Sequence, residues 1–127
     1  TVIDNEAGLE NLSRRIAPAV DWLVLVGDPS RRGIATIRRL HDLAREMDIR
    51  YGKLAVVVNR LRPSSPSPPD LSDLPVDAVF TLPEDDGLAR WGEEGRSLLE
   101  FPGDHPAARA IDAFLKQHLG VPSRGAA

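Results

Sequence analysis

Residues able to do chemistry stand at four places, each where an apolar run stops. Thr1-Val2-Ile3 gives way to Asp4-Asn5-Glu6 and then Ala7-Gly8. Trp22 to Val26 gives way to Gly27-Asp28-Pro29-Ser30, and Leu54 to Val58 gives way to Asn59-Arg60. Val76 to Leu82 ends at Pro83-Glu84-Asp85. Asp4 is a hard oxygen ligand able to hold Mg²⁺ directly or through water, with Glu6 as a second carboxylate. Gly8 has no Cβ, so its backbone can approach a terminal phosphate closely. The side-chain amide of Asn59 carries both an acceptor and donors, the complement of the N6–H and N7 edge of adenine. Arg60 brings a planar cation that can stack on a base. Pro83 offers an apolar wall, with the backbone around Glu84 free to hydrogen-bond. Each position also has a bland reading. Any turn after a strand needs polar residues; Asn59 would cap a turn, Arg60 would be solvated, and Asp85-Asp86 would cap a helix N-terminus.

The elements that must position these residues alternate. Leu9, Leu12 and Ile16 recur at helical spacing after the first strand, and Pro18 stops them. Trp22 to Val26 is apolar throughout, as in a strand covered on both faces. Ser30 is a candidate cap for a helix whose stripe is Ile34, Ile37, Leu40, Leu43, Ala44 and Met47. Leu54 to Val58 is a second fully apolar strand. Leu61 to Pro75 holds five prolines and several serines, so neither a regular helix nor a central strand fits. It is expected as a surface excursion over 61–75. A shorter strand (Val76–Leu82) and a short helix around Leu88 and Trp91 follow. The last helix is expected to be capped by Asp104, to carry Pro106 in its first turn, and to face the core with Ala108, Ile111, Phe114, Leu115 and Leu119. Strands separated by crossovers imply an α/β fold of three layers, a mostly parallel sheet of about four strands with flanking helices. In such a sheet ligands bind outside the carboxyl ends of the strands, where all four polar turns would gather.

Composition narrows the rest. The 127 residues suit one domain, with residues 121–127 expected as a flexible tail. A net charge of −3 makes no general electrostatic case for nucleic acid. No apolar run approaches the roughly 20 residues of a membrane span, and the last helix is too poor in cations for stable membrane association. With no cysteine, disulfides and thiolate metal sites are excluded within the chain; a cytoplasmic location is expected. His41, His105 and His118 lack metal-ligand spacing and read as solvated helix residues. The chain does not begin with methionine, and a longer parent is expected. No G-x-x-x-x-G-K-[ST] loop and no G-x-G-x-x-G occurs in it. The only lysines are Lys53 and Lys116.

Asp4-Asn5-Glu6-Ala7-Gly8-Leu9-Glu10-Asn11-Leu12-Ser13-Arg14-Arg15 resembles the switch region of the carbon monoxide dehydrogenase maturation ATPases, nickel-insertion factors of the MinD/ParA-type P-loop class. The match continues through Asp28-Pro29-Ser30 with Arg32-Gly33, Val58-Asn59-Arg60, Leu82-Pro83-Glu84-Asp85, and Gly92 to Gly95 with Ser97-Leu98. It covers roughly Val2 to Leu119. The resemblance implies that residues 1–120 are the C-terminal part of a P-loop NTPase-like nucleotide-binding domain, using ATP and Mg²⁺ in the parent protein. It implies that Asp4 is the Walker B-type carboxylate near Mg²⁺ (held via water) and that Gly8 senses the γ-phosphate. It further implies that Asn59 reads adenine, with Arg60, Pro83 and Glu84 flanking the base. A homodimer and a metalloenzyme client are implied partners. That family's phosphate-binding loop and C-x-C metal motif have no counterpart here. This chain alone is therefore not expected to hydrolyse ATP or to bind it tightly.

Two other readings stay open. One is a partitioning or positioning ATPase of the same class; the other is a non-catalytic interaction module with a vestigial nucleotide crevice. Absence of the phosphate-loop strand would leave a sheet edge and an apolar face bare, which favours pairing with another chain. Sedimentation at about tens of micromolar is expected to show a dimer or larger species; a clean monomer would count against it.

Overall fold

The computed structural model describes residues 19–64 and 69–120. The elements run β1 (Ala19–Gly27), α1 (Arg31–Glu46), β2 (Arg50–Leu61), β3 (Ala78–Pro83), α2 (Asp86–Glu93), a 3₁₀ turn (Leu98–Glu100) and α3 (Pro106–Leu119). The strands form one open parallel sheet in the order β1-β2-β3. The expected first strand and its helix fall outside the described residues, as does the expected tail.

The central strand explains the layering. Leu54, Val56 and Val58 are buried on the face that α1 covers, together with Leu23, Leu25, Ile34 and Ile37. Ala55 faces the other way, with Ala78 and Phe114 of α3. Successive residues of a strand point to opposite faces, so an unbroken apolar run is what a strand sandwiched between helix layers requires. The α/β fold with helices flanking a parallel sheet is thus as expected. On the α3 side, Phe80 and Phe114 stack with ring centroids 4.8 Å apart, and Trp22 and Leu115 pack around them.

Four local expectations change. First, β2 runs on to Leu61; of the expected excursion over 61–75, residues 65–68 lie outside the described residues, and its described return from Pro69 is anchored to the core. Leu71 is 8% exposed and sits in the α1-side core, with Leu74 and Val76 against it. Arg38 donates from Nε to Asp73 Oδ2 (2.8 Å) and from Nη2 to Asp73 Oδ1 (3.1 Å) and the Asp70 carbonyl (3.0 Å). Proline bars a segment from a regular ladder but not from burying its leucines.

Second, His105 rather than Asp104 caps α3, its Nδ1 accepting from the Ala107 N–H at 3.1 Å. Third, the buried stripe of α3 is Ala107 and Phe114, while Ala108 is half-buried and Ile111 is 41% exposed. Among the described residues nothing covers this flank of the helix. Fourth, the histidines are not freely solvated. His41 is 5% exposed and pairs through Nε2 with the Tyr51 hydroxyl at 3.1 Å; His118 packs on Trp22 and Phe114. The edge strands keep bare apolar positions, Val24 and Val26 on β1 and Val79 on β3.

Phe114 is the main apolar anchor of α3, so Phe114→Ala is expected to cost about 3–5 kcal/mol. Urea unfolding would show this as a lower midpoint with nearly unchanged slope.

Candidate functional site

The carboxyl ends of β1, β2 and β3 lie along one edge. β1 and β2 pair in register to Gly27↔Val58, and β2 and β3 to Val58↔Thr81. The next pairing is Leu61↔Pro83, so β2 uses one residue more than β3 over this step. This is a β-bulge. Arg60 absorbs it with φ 58, a left-handed conformation uncommon for a residue with a side chain. The Asn59 side-chain carbonyl accepts the Arg60 backbone N–H at 3.0 Å. The turn-capping reading of Asn59 is therefore realised. The same amide keeps its two N–H donors and a second carbonyl lone pair, and Asn59 is half-buried at the rim.

The β1 end is held by its own turn. Asp28 Oδ1 accepts from the Ser30 backbone N–H (2.9 Å) and from the Ser30 hydroxyl. Ser30 Oγ in turn accepts the Gly33 N–H (2.9 Å) and caps α1. A Cβ on Gly33 would collide with the Asp28 carboxylate and carbonyl, so only glycine lets the turn close on the helix. The Ser30 hydroxyl, then the Ser30 N–H, hold the Asp28 carboxyl below its ordinary value, and the charge of Arg60 adds to this. Arg60 is therefore near enough to β1 to act on its turn.

At the end of β3, the Glu84 N–H donates to the Leu61 carbonyl (2.9 Å), and the Glu84 carboxylate pairs with Arg62 Nε at 3.6 Å. Asp85 caps α2, its Oδ1 accepting the Leu88 N–H at 2.7 Å, as the bland reading expected. Its Oδ2 lies 3.4 Å from His105 Nε2, which ties the β3 end to the start of α3. Pro83 and Glu84 are exposed.

The structure therefore brings Asn59, Arg60, Pro83 and Glu84 onto one edge beside Asp28-Pro29-Ser30. Asp4 and Gly8 lie outside the described residues. Sequence reasoning missed the Arg62–Glu84 pair, the His105–Asp85 contact and the steric demand at Gly33. None has a local signal except the glycine, whose place three residues after a Ser cap could have been noticed.

The Ser30–Asp28 contact carries a pH expectation. A carboxylate whose folded-state value is lowered adds stability above its unfolded value, and that stability is lost as pH falls through the folded one. In Ser30→Ala the Asp28 carboxyl is expected to titrate higher, nearer the ordinary aspartate value, and the helix loses about 1 kcal/mol of capping. Carboxyl-carbon NMR against pH and urea unfolding read the two effects.

No family model matches the chain, and no solved structure matches it. Among curated proteins, it is 31% identical over 118 residues to an uncharacterized ATP-binding protein of Methanocaldococcus jannaschii, covering 91% of this chain and 47% of that protein. It is 29% identical over 130 residues to the carbon monoxide dehydrogenase accessory protein CooC of Rhodospirillum rubrum, covering 98% of this chain and 47% of that protein. A second uncharacterized ATP-binding protein of M. jannaschii is 33% identical over 61 residues, covering 48% of this chain and 23% of that protein. The chain spans about half the length of the first two curated relatives. Matched along most of its length by the first two, the chain is a relative of an ATP-binding protein and of the carbon monoxide dehydrogenase accessory protein, as its motifs implied.

Proposed function

We propose that this chain supplies the adenine-binding and Mg²⁺/switch side of a MinD/ParA-type ATPase. In that reading the parent couples ATP binding and hydrolysis to nickel delivery into a carbon monoxide dehydrogenase-like enzyme. It acts in the cytoplasm and as a homodimer. The observation that carries the reading is the shared strand-end edge of Asn59, Arg60, Pro83 and Glu84 in a chain similar to ATP-binding proteins.

The donor set suits a purine. The Asn59 amide N–H groups are free to donate to N7, and its second carbonyl lone pair can accept N6–H. Arg60 is exposed and can stack over the ring, while Pro83 closes the other side. Asp4 would hold Mg²⁺ through water and Gly8 would approach the γ-phosphate. Mg²⁺ supplies charge neutralisation on the phosphates when bound. Phosphate contacts dominate the binding of a nucleoside triphosphate, and the chain has no lysine-bearing glycine loop to make them. The bare positions Val24, Val26 and Val79 support association with a second chain. Among the described residues no helix is long and apolar enough to cross a membrane.

Calorimetry with Mg·ATP is expected to give millimolar affinity or no measurable heat, a free energy near −4 kcal/mol or weaker. NMR with AMP should shift the amides of Asn59, Arg60 and Glu84, and Asn59→Ala should remove the preference for AMP over GMP. Tight binding with turnover would overturn the argument from the missing loop. Shifts confined elsewhere would overturn the site.

A further inference from the structure

The amino ends of the strands hold a second feature that the nucleotide reading does not use. A cavity of about 350 Å³ lies between α1 and the returning end of the Pro/Ser-rich stretch, Asp73 to Pro75. Its lining includes His41, Asp42, Arg45, Tyr51, Leu74 and Pro75, and the Arg38–Asp73 clamp closes one end. The volume is at the lower end of the range for small-molecule sites. Tyr51 pairs with Val20 near the start of β1. Asn59 lies eight residue steps further along β2, about 26 Å of strand. The cavity and the strand-end edge are therefore different places.

The lining is specific in kind. His41 is buried on a helix stripe otherwise made of Ile34, Ile37 and Ala44. A buried polar side chain costs stability unless it is hydrogen-bonded, and its partner is the Tyr51 hydroxyl. When His41 Nε2–H donates to the Tyr51 oxygen, the Tyr51 O–H is left to donate outward. Arg45 stands one turn beyond His41 on α1, and no ion pair holds it among the described residues. Arg38, by contrast, is committed to Asp73 and Asp70. One free guanidinium and one hydroxyl donor thus border the cavity, with Leu74 and Pro75 as apolar wall. Asp42 flanks the same opening with no ion pair among the described residues and repels additional negative charge, whereas the Asp73 carboxylate is held by Arg38.

We propose that this cavity is a binding site for a small monocarboxylate with an apolar body, its carboxylate received by Arg45 and the Tyr51 hydroxyl. The carboxylate selects the His41–Tyr51 arrangement in which histidine donates, and the apolar body lies against Leu74 and Pro75. Asp42 excludes phosphate dianions and nucleotides. The Pro/Ser-rich excursion then acquires a role, because its return segment forms one wall.

The test is a ¹H–¹⁵N NMR titration of the chain with benzoate and with isobutyrate, with inorganic phosphate and Mg·ATP as controls. Saturable shifts of the His41, Arg45, Tyr51 and Leu74 amides with the two carboxylates, absent with the controls, are expected. Arg45 is exposed, so Arg45→Gln should fold normally and weaken binding by about tenfold or more. Asp42→Asn should strengthen carboxylate binding and admit phosphate. Three results overturn the proposal: no saturable shift, shifts indifferent to Arg45→Gln, or equal response to phosphate. None of these depends on whether Asn59 reads adenine.

Discussion

Leu54 to Val58 are paired with strands on both edges and covered by helix layers on both faces, and four of the five are wholly buried. Leu54, Val56 and Val58 each contribute roughly 1.5–3 kcal/mol by leaving water. The exposed ion pairs of this molecule contribute about 0–1 kcal/mol each, so burial along this strand outweighs them. The strand also sets the positions of everything around it. Its even-numbered residues define the layer filled by α1, and Ala55 opens the layer filled by α3. Asp77 clamps its start, accepting the Leu54 N–H at 2.8 Å and donating its own N–H to the Leu54 carbonyl at 2.8 Å.

Where that burial ends, at Val58, the chain changes character. The ladder gives way to a bulge, and Arg60 adopts a conformation that costs on the order of 1–3 kcal/mol. The Asn59 carbonyl offsets part of it by satisfying the N–H that the bulge exposes. On one side the Asp28–Ser30–Gly33 turn closes on the N-terminus of α1, and on the other Glu84 and Asp85 lead into α2. The edge is built from turns whose side chains are already hydrogen-bonded locally. It keeps further donors and an exposed cation facing outward. A rigid strand core with a polar rim is the arrangement by which α/β sheets present ligand-binding groups.

The opposite end of the sheet is built differently. There the closing element is an irregular strap, held by the buried Leu71 and by the two-point Arg38–Asp73 pair. A strap without a hydrogen-bonded ladder packs less continuously than a helix, and a cavity lies where it meets α1. The buried His41 belongs to that junction. Its hydrogen bond to Tyr51 links the helix to the start of β2.

Much of this was determined by sequence alone. The apolar run Leu54–Val58, the amphipathic stripe from Ile34 to Met47, the Ser30 cap and the gathering of polar turns at the strand ends all follow from local pattern. Burial on two faces demands a continuous apolar run, and a cap needs only its neighbours three residues on. Only the tertiary structure decided the rest. The return of Leu71 into the core, the burial of His41, the choice of His105 over Asp104 as a cap, and the uncovered flank at Ile111 each depend on what lies across space. His41 is buried because Tyr51 stands within hydrogen-bond reach. His105 caps a helix that places it beside Asp85. Leu71 is buried because it joins the core cluster that α1 and β2 build from residues far from it in the chain. Local pattern encodes which face of an element is apolar; which partner meets it depends on contacts between residues distant in the chain, and no single stretch of sequence carries those.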